Sequence, residues 1–129
     1  MIKFREYLKE NTITVNDRKI RLTLPFGNDL HLVKLHTNEL DRLFSKNKDF
    51  YIGAGGTENA IKGRYDKFGD FIQNSPTLEI PQIEVTSDGK INFGNGRHRY
   101  AWLRDHGIQE MPVAMTTKSM QNSKRLGLL

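Results

Sequence analysis

Arg97, His98 and Arg99 stand directly behind the turn Gly94-Asn95-Gly96, so three cationic or protonatable side chains follow a pair of glycines without a break. Ile91 and Phe93 alternate as a strand before the turn, and residues 97–106 continue as a helix whose far end Gly107 can cap. A strand that ends at glycines and turns straight into a helix presents unpaired amide donors, and glycine lets a ligand approach the backbone closely. Guanidinium groups that fork onto phosphate oxygens complete an anion site in outline. Successive helical residues fan out about a hundred degrees apart, so at most two of the three can face one ligand.

Each of these residues also has a plain structural role open to it. His98 can be a buried side chain that pins the turn, and Arg99 can pair with Asp105 or Glu84. Asn95 tolerates positive φ, and its amide can reach a base, a ribose or its own backbone. Tyr100 and Trp102 lie nearest the turn among the aromatic residues, as packing groups or as walls of a site.

Gly53, Gly55 and Gly56 form a second glycine-rich element ahead of Ile61, Tyr65, Phe68 and Ile72, whose spacing predicts a helix with Thr57 as its N-cap. So many glycines are costly in backbone entropy, which points either to unusual dihedrals or to amides brought close to a ligand. Arg64 and Tyr65 can add a cation and a stacking face for a base, against a solvent-facing arginine and a packed tyrosine. The Gly-Lys-Ser/Thr ending of a P-loop and the spaced glycines of a dinucleotide fingerprint are both absent.

The elements that must hold these turns can be read along the chain. Ile2, Phe4, Tyr7 and Leu8 suggest a short amphipathic stretch. Ile13 and Val15, then Ile20, Leu22 and Leu24, flank Asn16-Asp17-Arg18 as a hairpin. A strand over 30–35 leads to a helix N-capped by Thr37 or Asn38, with Leu40, Leu43 and Phe44 on one face. Residues 80–85 and 91–93 form a second hairpin across Ser87-Asp88-Gly89-Lys90, and 111–115 a last strand. The expected fold is α+β, a compact mixed β-sheet with flanking helices, in one domain over residues 1–117. Residues 118–129 read as a basic, flexible tail.

Twenty Lys and Arg against fifteen Asp and Glu give a net charge of +5 over 129 residues, which favours anionic partners. The absence of cysteine excludes disulfides, thiolate nucleophiles and cysteine-ligated zinc. His31, His36 and His106 have no metal-ligand spacing, and no metal site is expected. The charged opening residues lack the apolar run of a signal peptide or anchor, so a cytoplasmic protein with no membrane contact is expected.

Phe93-Gly94-Asn95-Gly96-Arg97-His98-Arg99-Tyr100-Ala101, followed by Ile108-Gln109-Glu110-Met111-Pro112-Val113, resembles the ParB/sulfiredoxin-like superfamily over residues 78–116. Small phage and mobile-element proteins of this kind also pair a Tyr-Ile-Gly loop with an Asn-Gly-Arg-His-Arg turn. The resemblance implies a compact mixed-sheet fold whose turn binds nucleotide phosphates, ATP or CTP with Mg²⁺. Gly96, His98 and Arg99 fall on that turn. Arg97 stands where sulfiredoxins place their catalytic cysteine, so the redox chemistry does not carry over. Few residues follow Thr116, too few for the helix-turn-helix domain of partition proteins.

The function expected is therefore a ParB-like nucleotide-phosphate-binding protein acting as a small phosphotransferase or nucleotide hydrolase. Asn95, Gly96, Arg97, His98, Arg99 and Arg64 would hold phosphate, and Gly55 and Gly56 would close over the ligand. The alternatives are a phage or plasmid accessory protein that binds nucleic acid or a host protein, and a ParB-like nuclease. Glu84, Asp88 and Asp105 are the candidate acids or bases.

Overall fold

The computed structural model describes residues 11–129, and the expected amphipathic stretch at the start lies outside them. The chain is α+β, as the sequence predicts. Thr12–Val15 (β1) and Arg18–Thr23 (β2) form an antiparallel hairpin in which Val15 faces Arg18. Asn16 and Asp17 both take positive φ, 49° and 64°, the twist that a two-residue turn needs.

His31–His36 (β3) leads without a break into the helix Thr37–Phe44 (α1), which buries Leu40 and Phe44. Ile52–Gly53 (β4) and Thr57–Glu58 (β5) pair around the glycine loop, and only then does the helix Arg64–Ile72 (α2) begin. Its N-cap is Gly63, at φ 86°, and not Thr57, whose hydroxyl instead donates to the Ala54 carbonyl at 3.1 Å. Ile61 is consequently exposed, while Phe68 and Ile72 stay on the buried face.

Thr77–Glu79 (β6) was not visible as a separate strand, because Ile80 and Pro81 merge it with the next one in the apolar pattern. It runs parallel to β2, with Leu22 opposite Leu78, in a sheet ordered β1-β2-β6. Gln82–Val85 (β7), Ile91–Asn95 (β8) and Glu110–Met115 (β9) join β3 in a second sheet ordered β3-β9-β7-β8. Ile80 and Pro81 carry the chain from one sheet to the other. The Ile80 amide donates to the Thr23 carbonyl at 3.0 Å, and the Pro81 carbonyl accepts from Ala114 at 2.8 Å.

The helix Arg97–Asp105 (α3) packs on α2 and buries Tyr100, Ala101, Trp102 and Leu103. Gly107, at φ 86°, ends it as expected. The Gly107 amide donates to the Arg104 carbonyl, and the Ile108 amide joins that of His106 on the Leu103 carbonyl, which satisfies the last turn.

The expected flexible tail is instead the helix Thr117–Arg125 (α4). Its contact surface is polar, which is why apolar periodicity did not reveal it. Ser119 Oγ accepts from the Val85 amide at 3.0 Å and Asn122 Nδ2 donates to the Val85 carbonyl at 2.9 Å, so the helix pairs the free end of β7. Asp29 reaches its first turn and accepts from the Thr117 hydroxyl and amide, which holds the Asp29 carboxyl down at about 2.

Candidate functional site

The turn before α3 lies against the crossover between the two sheets. Gly96 has φ 81°, and a Cβ there would stand 2.8 Å from Pro81 Cα and 2.8 Å from Arg99 Nη2, so only glycine fits. A register shift at Gln82 leaves Gly94 as an extra residue in β8. Asn95 follows it and accepts from the Gln82 amide at 3.2 Å and from Arg99 Nη2 at 3.2 Å. Asn95 therefore positions the turn and steadies an arginine.

The three residues that follow diverge, as helical geometry requires. Arg97 turns away and donates through Nη1 to the carbonyls of Phe50 at 3.1 Å and Asn59 at 2.9 Å. Burial and the neighbouring Arg64 both work against its charge. His98 is 8% exposed, and its Nε2 accepts from the Ile61 amide at 2.8 Å. Burial first, and then Arg97 and Arg64, push its pKa down to about 4, so the ring is neutral and serves as an acceptor at physiological pH. It pins the start of α2 against the start of α3.

Arg99 alone of the three extends toward open space. Its one carboxylate partner is Glu79, at 3.6 Å, and not Asp105 or Glu84. Its Nε is buried without a hydrogen-bond partner. Beside it lies a cavity of about 580 Å³, lined by Arg64, Lys67 and Phe71 of α2, Glu79 of β6, and Gly96 and His98. Arg64 and Lys67 are exposed and make no side-chain hydrogen bond or ion pair among the described residues. Neither α2 nor α3 has a side-chain cap at its N-terminus, and both helices start beside this space, although the Arg64 amide is taken by the Ile61 carbonyl at 3.1 Å.

No family model, curated protein or solved structure matches this chain.

The expected lining is partly redistributed. Gly96, His98, Arg99 and Arg64 line the cavity, whereas Asn95 and Arg97 support it from behind. Gly55 and Gly56 do not close over it, because their loop is tied to the opposite end of α3. The Gly55 amide donates to Asp105 Oδ2 at 2.8 Å, and the Tyr65 hydroxyl donates to the same oxygen at 2.7 Å. Gly56, at φ 80°, would place a Cβ 2.6 Å from the Tyr65 ring. These glycines serve backbone shape and close packing, and Tyr65 is spent on that loop instead of a base.

Lys67, Phe71 and Glu79 belong to the cavity but were not singled out from the sequence. Lys67 and Phe71 lie three and seven positions after Arg64, the spacing of one helical face, so that signal was present. Glu79 arrives through the parallel pairing of β6 with β2, which no local pattern announces.

At the far end of α3, Arg104 donates to Asp41 Oδ1 at 3.0 Å, Asp105 Oδ1 at 3.0 Å and the Ile52 carbonyl at 2.7 Å. Tyr100 and Tyr51 donate to the two oxygens of Asp41 at 2.6 and 2.8 Å. Burial and the Asp41 hydrogen bond push Tyr51 up to about 12, and burial and Asp105 do the same for Tyr65. This end is a dense network in which only Arg104 Nη2 is buried without a partner among its described residues, and Asp105 is committed to it. Glu84 accepts from Asn92 and Asp88 from the Thr86 hydroxyl, so the three expected acids lie outside the cavity. Among the described residues no three His, Asp or Glu side chains gather as a metal site.

Proposed function

We propose that this chain is a ParB/sulfiredoxin-like domain that binds a nucleotide through its phosphates in the cavity between α2 and the turn before α3. The observation that carries the reading is the convergence of Arg64, Lys67 and Arg99 on one space of about 580 Å³ with Glu79 as the sole carboxylate among its described lining residues. Two uncapped helix starts add amide donors and favourable dipoles to the same corner. Phe71 is 57% exposed at the rim, which leaves a ring face for a base to stack on.

Positioning and charge neutralisation are most of what phosphoryl transfer asks of a protein, so the same corner suits a phosphotransferase or hydrolase. Glu79 is the residue that would share a Mg²⁺ ion with the phosphates or take a proton. Arg99 holds its carboxylate at 3.6 Å, so it would have to exchange that partner for the ligand.

A thermal-shift series with ATP, CTP, GTP and inorganic phosphate tests it. A ligand at a hundred times its Kd raises stability by about 2.7 kcal/mol. Arg99→Ala and Lys67→Ala should each abolish the nucleotide shift, and Arg97→Ala should leave it. No shift with any nucleotide at millimolar concentration overturns the proposal.

A further inference from the structure

A second and larger hollow lies on the other face of the turn, between α1, the loop after it, the β7–β8 hairpin and the end of the chain. Its volume is about 900 Å³, and its lining includes Lys46, Lys48, Phe50, Asn47, Lys90 and Leu126. Phe50 is 54% exposed. The Arg97 guanidinium sits over its ring, 5.6 Å from the centroid, while its Nη1 holds the Phe50 carbonyl. One ring face thereby meets a cation, with the rest of the ring left to solvent.

The charge around the ring is mixed with a positive excess: Asp49 and Asp88 line the hollow together with Arg42, Lys46, Lys48 and Lys90, and Asp49 has no side-chain partner among the described residues. Arg42 is paired with Glu39 at 3.0 Å and Lys90 lies 3.9 Å from Asp88, but Lys46 and Lys48 have no side-chain partner among the described residues. Asn47 donates through Nδ2 to the Ile91 carbonyl at 3.2 Å, which holds its amide at the floor of the groove. The exposed apolar surface of the groove is confined to Phe50 and Leu126, 54% and 40% exposed, since Ile91 and Leu128 are 1% and 7% exposed. An amphipathic helix needs a row of apolar pockets along the groove, and these residues do not offer one. An exposed aromatic ring flanked by lysines matches a strand of stacked bases and phosphates.

We propose that this groove binds single-stranded nucleic acid, with a base stacked on Phe50 and phosphates held by Lys46 and Lys48. The site shares no lining residue with the α2–α3 cavity, so it stands or falls separately from the nucleotide reading.

Fluorescence anisotropy with labelled oligothymidylate and oligouridylate of about a dozen nucleotides tests it. Binding of either strand supports the proposal, and the ratio of the two tells DNA from RNA. Phe50→Ala should weaken binding about fivefold to a hundredfold. The Lys46→Glu/Lys48→Glu double variant should abolish it, and Arg99→Ala should leave it unchanged. A fourfold rise in salt should weaken it about sevenfold to twentyfold if two or three phosphates are neutralised. The proposal is overturned if neither strand binds at low salt, or if binding is indifferent to both Phe50→Ala and the lysine double variant. It is equally overturned if a duplex of the same length binds as well as the single strands, or if an oligoglutamate peptide binds in a Phe50-dependent way and the oligonucleotides do not.

Discussion

Helix α3 carries arginines in its first and last turns, and the two ends behave as opposites. Arg104, at the C-terminal end, is 11% exposed and lies 3.0 Å from a carboxylate oxygen of Asp41 and of Asp105. Arg99, at the N-terminal end, has one carboxylate at 3.6 Å, and each guanidinium keeps one buried nitrogen without a hydrogen-bond partner, Arg99 Nε and Arg104 Nη2. Arg104 also sits where the helix dipole welcomes a cation, whereas Arg97 and Arg99 sit where it opposes one. The same residue type is therefore a lock at one end and a receiver at the other. What separates them is the carboxylates within reach: Arg104 has its own neighbour Asp105 and, from α1, Asp41, whereas Arg99 has only Glu79 from β6.

The contrast can be broken most forcefully at the closed end. Arg104→Ala should cost about 3–5 kcal/mol in chemical denaturation, because Asp41 and Asp105 are left without their counter-ion. Arg104→Lys should restore only part of that, since an ammonium cannot reproduce the planar fork. A loss below about 1 kcal/mol for Arg104→Ala would mean that the network is not what fastens this end.

The glycine loop sharpens the point at the next level. Alanine at Gly55, with φ 75° and nothing within 4 Å of its Cβ, should cost about 1–2 kcal/mol for left-handed backbone alone. Gly56→Ala should cost about 1–3 kcal/mol more, because the new methyl must displace Tyr65. Equal losses at the two positions would rule out close packing as the reason for the second glycine.

At the open end, His98→Ala should cost about 1–3 kcal/mol by leaving the Ile61 amide unpaired. The pH dependence has a definite sign. The folded ring titrates at about 4 against 6.5 when free, so its contribution is complete above 6.5 and is lost as pH falls toward 4. Melting curves across that interval should therefore fall more steeply with acid for the native chain than for His98→Ala. The smallest effect on stability belongs to Arg99→Ala, under about 1 kcal/mol, because its one ion pair is long and half-exposed. Its effect on the nucleotide-induced shift should nonetheless be complete. A variant that lost stability and kept the ligand response would reverse the assignment of the two ends.

The local elements were largely legible because their signals are local. Alternation marked the β1–β2 and β7–β8 hairpins, and the Gly96 and Gly107 positions marked both ends of α3 to within a residue. The misreadings share another cause. The helix after the glycine loop starts at Arg64 and not after Thr57, because β4 and β5 pair first, and a two-residue strand has no period to detect. The helix α4 was missed because Ser119, Asn122 and Ser123 face inward, and buried polar groups look like surface in a sequence. Arg97, His98 and Arg99 were legible as a cluster, but the partner of each was not.

By itself, the order of residues determined the class of fold, the strand–glycine–helix turn and the excess of positive charge. Each follows from backbone stereochemistry or from simple counting over neighbouring positions. Only the tertiary structure decided which cations are consumed, since that depends on carbonyls and carboxylates arriving from positions dozens of residues away. Phe50 and Asn59 take Arg97, Ile61 takes His98, and Asp41 takes Arg104, while Arg64, Lys67 and Arg99 line the cavity.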